Sequence, residues 1–131
     1  MTMQIMPRVK AAKARASFNL GSHTATLFGD IQSVGRVQYA WLLVVYDLGT
    51  KQPAFIVSSE VNSMNSVAGG GSHFLCVFDE SGRAILNGSD DWADEELFTA
   101  RALGVVYEKL PGLAQKSNKT EAEQGGGNDV T

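Results

Sequence analysis

The sequence predicts an α+β fold: an antiparallel sheet of about five strands in a meander, with one C-terminal helix packed across a face. Three observations carry that expectation. Between Thr24 and Leu86, apolar residues recur with period two in short runs, each bounded by turn-forming residues. Most links between runs are too short for parallel crossovers, so neighbouring strands must reverse direction. After Asn87-Gly88 the period becomes helical, in a segment opened by Ser and Asp residues and stopped by Pro111-Gly112.

The elements follow in order along the chain. Residues 1–16 hold Arg8, Lys10, Lys13 and Arg15 but no acid and no long apolar core, so they read as a flexible basic arm rather than a secretory signal. The folded domain is expected over residues 17–110. A short strand at Ser17 to Leu20 precedes a longer one at Thr24 to Gln32. Val37 to Tyr46 begins by alternating and ends apolar at every position, the pattern of a central strand covered on both faces. Asp47 to Gln52 supplies turn chemistry and Pro53 restarts an extended run, Ala54 to Val61.

The polar stretch Ser58 to Ser66, running on into Gly69-Gly70-Gly71, is the longest internal link. His73 to Asp79 is the next strand. Glu80-Ser81-Gly82-Arg83 is a hairpin turn, in which Gly supplies the positive φ, and Ala84 to Leu86 pairs back. A helix from about Asp91 to Lys109 follows, N-capped by Ser89 or Asp90, with Ala93, Leu97, Ala100 and Gly104 on one face. A second parse ends the helix at Gly104 and makes residues 105–110 a last strand. Residues 111–131 are polar and too poor in large apolar side chains to offset the entropy of ordering, so they read as a disordered tail.

Composition narrows the function classes. The 131 residues carry a formal charge of −3, divided between a basic start and an acidic end. No global basic field favours a nucleic acid, and the longest apolar run is far shorter than the ~20 residues a membrane helix needs. One cysteine leaves no scope for an internal disulfide or a cysteine-rich zinc site. A cytoplasmic protein with no cofactor is expected.

The chemistry-bearing residues are few. No catalytic motif is present. His23 and His73 both open expected strands, each inside a Gly-Ser-His triplet whose recurrence reads as chance. Were those strands neighbours running the same way, both imidazoles would reach one rim, where Asp30, Asp79, Asp47 or Glu60 would complete a two-His, one-carboxylate ligand or metal site. Gly69, Gly70 and Gly71 would offer backbone N–H groups to an anion. Cys76 shares a strand face with Phe74 and Phe78 and so reads as a buried, inert thiol. Asp90, Asp91, Glu95 and Glu96 surround Trp92, an acidic patch with an aromatic anchor suited to a basic partner.

The function these features favour is a small non-catalytic protein-interaction module, acting on a protein partner or on a second copy in a homodimer. The sheet face that the single helix would leave uncovered is expected to be covered by the N-terminal arm or by a second copy, so a homodimer through the sheet is expected. The alternative is a small-ligand-binding or hydrolytic protein with a rim site built from His23, His73 and the Gly69–Gly71 loop.

Overall fold

The computed structural model describes residues 7–62 and 71–112. They form an antiparallel meander of six strands in sequence order: β1 (Val9–Asn19), β2 (His23–Ser33), β3 (Tyr39–Asp47), β4 (Gln52–Val61), β5 (His73–Asp79) and β6 (Gly82–Ser89). A 3-10 turn (Asp90–Ala93) leads into the single helix α1 (Glu95–Lys109). The fold is therefore the expected α+β meander with one C-terminal helix, with six strands where about five were expected.

The added length is mostly at the edges. Residues 9–16, expected as part of a flexible arm, are strand; Lys, Arg and Ala hide it because β1 is an edge strand with register shifts against β2 at three places, so no period two survives. At the other edge, β6 continues through Asn87-Gly88. Ser58, Ser59 and Glu60 are not loop but buried positions of β4.

Side chains line up in cross-strand rows. One row joins Ala16, Leu27, Leu43, Val57, Val77 and Ala84; the opposite face carries Ala14, Phe28, Leu42, Ser58, Cys76 and Ile85. The first face is covered by α1, which buries Phe98, Ala102, Val105 and Val106 against Leu43, Phe55, Val57 and Leu75. Of the stripe expected to face the sheet, Ala93, Leu97, Ala100 and Gly104 are turned away, with Leu97 about half exposed, while Leu103, Tyr107 and Leu110, which extend it around the same side, pack against the core. Both stripes have helical spacing; burying one Phe and two Val removes more apolar surface than one Leu, two Ala and a Gly, at ~25 cal/mol per Å².

Among the described residues, no helix packs on the second face. Leu42, Val44, Ile56, Cys76 and Phe78 are nevertheless buried, because Val9, Phe28, Ile31, Tyr39 and Phe74 pack over them. Tyr39 meets Phe78 edge to face, with ring centroids 6.5 Å apart. Of the two expected covers, the N-terminal arm contributes Val9, and β2, the start of β3 and β5 supply the rest from within the chain.

Polar ties fix the helix on the sheet. Asp94 is its N-cap, accepting from the Leu97 N–H at 2.9 Å, while Ser89 caps the 3-10 turn through the Asp91 N–H at 3.0 Å. The Trp41 indole donates to the Ala93 carbonyl at 3.0 Å, and the Ser59 hydroxyl donates to that of Trp92. Arg15 grips Glu95 with two bonds of 2.9 and 3.0 Å, and Lys109 reaches Asp79 at 2.9 Å. α1 runs unbroken through Gly104, so residues 105–109 are helix and the last-strand parse does not hold.

Gly29 is where the first face is tightest. A Cβ there would lie 2.5 Å from the Trp41 ring and 2.8 Å from Arg15 Cδ, whose guanidinium stacks 5.8 Å from the Trp41 ring. Gly29→Ala is expected to displace Trp41 from the Ala93 carbonyl and to lower stability by about 1–3 kcal/mol. Chemical denaturation checks the loss, and Trp fluorescence checks the displacement.

Candidate functional site

The meander separates the two histidines. Three successive antiparallel pairings lie between β2 and β5, so these strands run in opposite directions. His23 is paired with Asp47, level with the start of β4 at Gln52, whereas His73 is paired with Val61 at its end. Along a strand of that length the two imidazoles stand about 30 Å apart, at ~3.3 Å per residue. The condition for a shared rim is not met.

Asp79 is at the far end of β5 from His73 and is taken up by Lys109 and by Ser81 in the β5–β6 turn. Asp30 is exposed on β2 at a positive φ of 48°, opposite the irregular part of β1. Among the described residues, no three His, Cys, Asp or Glu side chains are grouped to hold a metal.

Each histidine has a local role. In both Gly-Ser-His triplets the Gly has a positive φ (85° at Gly21, 69° at Gly71) and the Ser hydroxyl pairs with the following imidazole Nδ1, at 2.8 and 2.7 Å. Whatever its origin, the repeated triplet is a repeated device for turning the chain into a strand. Gly71 sits close against Asp90, and its carbonyl accepts from the Asn62 side chain, so it belongs to a built corner. Gly69 and Gly70 lie outside the described residues.

The acidic patch divides. Trp92 is not an exposed anchor: the 3-10 turn folds it into the core with Phe98 and Leu75, and it is only 8% exposed. Packing of a large aromatic against the sheet outweighs its indole N–H, which has no hydrogen-bond partner. Asp90 accepts from the Ser72 N–H at 2.8 Å, and Asp91 accepts through its carbonyl from the Asp94 N–H. Glu95 is held by Arg15, which keeps its carboxyl below the usual range. Glu96 is exposed.

Glu95 and Glu96 border an open groove on the first face. α1 lies over β3 and β4, so its N-terminal half and the outer strands leave between them this groove of about 440 Å³. Ala16 and Phe18 of β1, Leu27 of β2 and Ala100 of α1 give it an apolar lining, and Thr99 and the two glutamates complete the rim. Only the end of β1, from Ser17, shows as strand in the sequence pattern; residues 9–16 do not, so the groove was not legible.

A second missed feature is a buried ion pair on the other face. Glu60, 2% exposed, receives two bonds from Arg83 at 2.6 and 3.1 Å and one from the Ser58 hydroxyl at 3.2 Å. Cys76 lies beneath, fully buried; desolvation, with the Glu60 charge adding, pushes its thiol up to about 12. A thiol so far from its thiolate is neither nucleophile nor ready ligand. Burial and Glu60 likewise raise the Tyr39 phenol. Compared with known protein families, curated proteins and solved structures, the chain matches none.

The pH dependence of stability between neutral and acid pH follows from three shifted groups, His73, Asp79 and Glu95. Burial holds His73 below its ordinary value of 6.5, against the pull of Asp90, so the unfolded chain takes up that proton first. Its contribution is full above pH 6.5 and is lost as the pH falls below it. Lys109 and Ser81 hold Asp79 below its ordinary 3.8, so its share persists to more acidic pH and disappears as that carboxylate protonates. Thermal unfolding between neutral and acid pH is expected to show two declines. His73→Gln removes the upper one, and Asp79→Asn reduces the lower, of which Glu95 in its pair with Arg15 carries the rest.

Proposed function

We propose that the chain is a small, non-catalytic protein-interaction module of the cytoplasm that accepts an apolar side chain of a partner protein in the groove between β1 and α1. The groove carries the reading: a concave apolar lining beside a carboxylate, Glu96, for which no ion pair is formed among the described residues. Its volume lies within the ~300–1,000 Å³ of ordinary ligand pockets, enough for one or two bulky side chains. Arg15 already neutralises Glu95, which leaves Glu96 to meet a cation. The partner chemistry that fits is an extended segment with a bulky apolar residue next to Lys or Arg.

Selection of a random peptide library on the purified protein tests this. Expected are peptides of that composition, bound at least about tenfold more weakly by Ala100→Trp, a change of ~1.4 kcal/mol. Glu96→Lys is expected to weaken the cationic peptides most. Peptides bound equally by the wild type and Ala100→Trp, or no enrichment at all, would overturn the proposal.

A further inference from the structure

The two edges of the sheet are finished differently. β1 carries three register shifts and a basic run from Lys10 to Arg15, both of which disfavour adding another strand. β6, of sequence Gly-Arg-Ala-Ile-Leu-Asn-Gly-Ser, has no Lys and no Pro, and positions 83–87 are all exposed. Its one charge, Arg83, is turned inward onto Glu60 of the same chain. It has one irregularity, where Leu75 pairs with Asn87 but Cys76 with Ile85, leaving Leu86 as the extra residue.

The second-face row Phe28, Leu42, Ser58, Cys76, Ile85 runs off the sheet at this edge. Cys76 is fully buried, whereas Ile85, next in the row, is 51% exposed, and its neighbour Leu86 is 44% exposed. An apolar row of this kind stops at Ile85 for want of a seventh strand.

We propose that the seventh strand is β6 of a second copy, paired antiparallel about a twofold axis through Ile85. That axis stands perpendicular to the sheet, so each face continues across the junction and Ile85 meets the partner copy's Ile85 in the same row. Counted from Ile85, Arg83 is level with Asn87, but the extra residue Leu86 puts Asn87 on the first face while Arg83 stays on the second, bound to Glu60 of its own chain, so no like charges oppose each other. Leu86 lies opposite Ala84, a small residue beside the irregular position. The arrangement closes: each copy uses the same edge, and the basic, irregular β1 edges point outward. One strand pair buries less than a standard interface, so the dimer is concentration-dependent and in exchange with monomer. The inference is independent of the groove, which lies at the opposite edge.

Analytical ultracentrifugation of the full chain over a range of concentrations gives the first test. Expected is a shift from 14.0 kDa towards twice that mass at high micromolar protein. Ile85→Lys abolishes the shift by opposing two ammonium groups on the axis, while Leu97→Lys, at a similarly exposed leucine of α1, leaves it intact.

The second test fixes the register. Ile85 pairs directly with Cys76 of β5, so the native thiol is first removed by Cys76→Ala, and a cysteine placed on the surface of that variant reports alone. Under mild oxidation by diamide, Ile85→Cys gives a disulfide-linked dimer, whereas Ala12→Cys on β1 does not. A monomer throughout, a dimer unaffected by Ile85→Lys, or linkage through Ala12→Cys in place of Ile85→Cys would each overturn the proposal.

Discussion

β3 and β4 are apolar and buried on both faces, and among the described residues it is α1 that packs across one of those faces. A strand buried on one side only exposes a full row of apolar side chains, at a cost of about 1.5–3 kcal/mol for each Val, Leu, Ile or Phe left in water. The helix seals the first face through Phe98, Val105 and Val106. The second must be sealed by the sheet itself, and Val9, Phe28, Ile31 and Tyr39 do so from β1, β2 and the start of β3. That requirement accounts for β1 being long and irregular: register shifts increase local twist, and a flat edge strand would not bring Val9 towards Leu42 and Phe78.

The same closure explains an ion pair inside an otherwise apolar layer. Glu60 continues the alternation of β4 onto the second face beyond Ile56 and Ser58, where the cover includes Tyr39. A carboxylate sealed in such a place must be paired, and Arg83 supplies two bonds by reaching inward from β6. Buried pairs are poor sources of net stability, because desolvation consumes most of their attraction. What the Glu60–Arg83 pair adds is geometric: it ties β4 to β6 across β5. It also removes from the β6 edge the one charge that would have guarded it.

How much of this was legible in the sequence depended on how far each residue's neighbours are local. β2, β3, β4 and β5 announce themselves by period two, and the turns at Asp47–Gln52 and Asp79–Gly82 by their Asp and Gly residues. Of these, Asp47 and Asp79 accept backbone N–H bonds at 2.8 and 2.9 Å. Residues 9–16 of β1 were not legible because the strand's irregularities erase the period and its basic side chains face solvent. The helix was legible but its inward face was not, since Ala93, Leu97, Ala100 and Gly104 make as regular a stripe as Phe98, Ala102, Val105 and Val106; volume chose between them. The candidate site depended most on topology. Whether His23 and His73 share a rim is decided by the parity of the number of hairpins between them, and the meander places three. Trp92 among five acids looks like a surface anchor in sequence, yet the 3-10 turn before α1 gives it the one inward position.

On the two proposals, the sheet's two edges would divide the binding work. At the β1 edge the strand bends over the second face and leaves the first face partly uncovered, with Phe18 and Leu27 lining a groove. At the β6 edge the second-face row ends in the open at Ile85. A twofold axis perpendicular to the sheet keeps faces in register, so a pair joined at β6 presents both grooves on one side of a twelve-stranded sheet. Eleven strand spacings of ~4.8 Å put the two β1 edges at most about 50 Å apart, and the twist and curl of the sheet shorten that distance. Two weak sites fixed on one rigid surface bind a partner with two matching segments far more tightly than either alone, provided the partner spans the separation. A groove sized for only one or two side chains gains most from such an arrangement, because its own contact area is small.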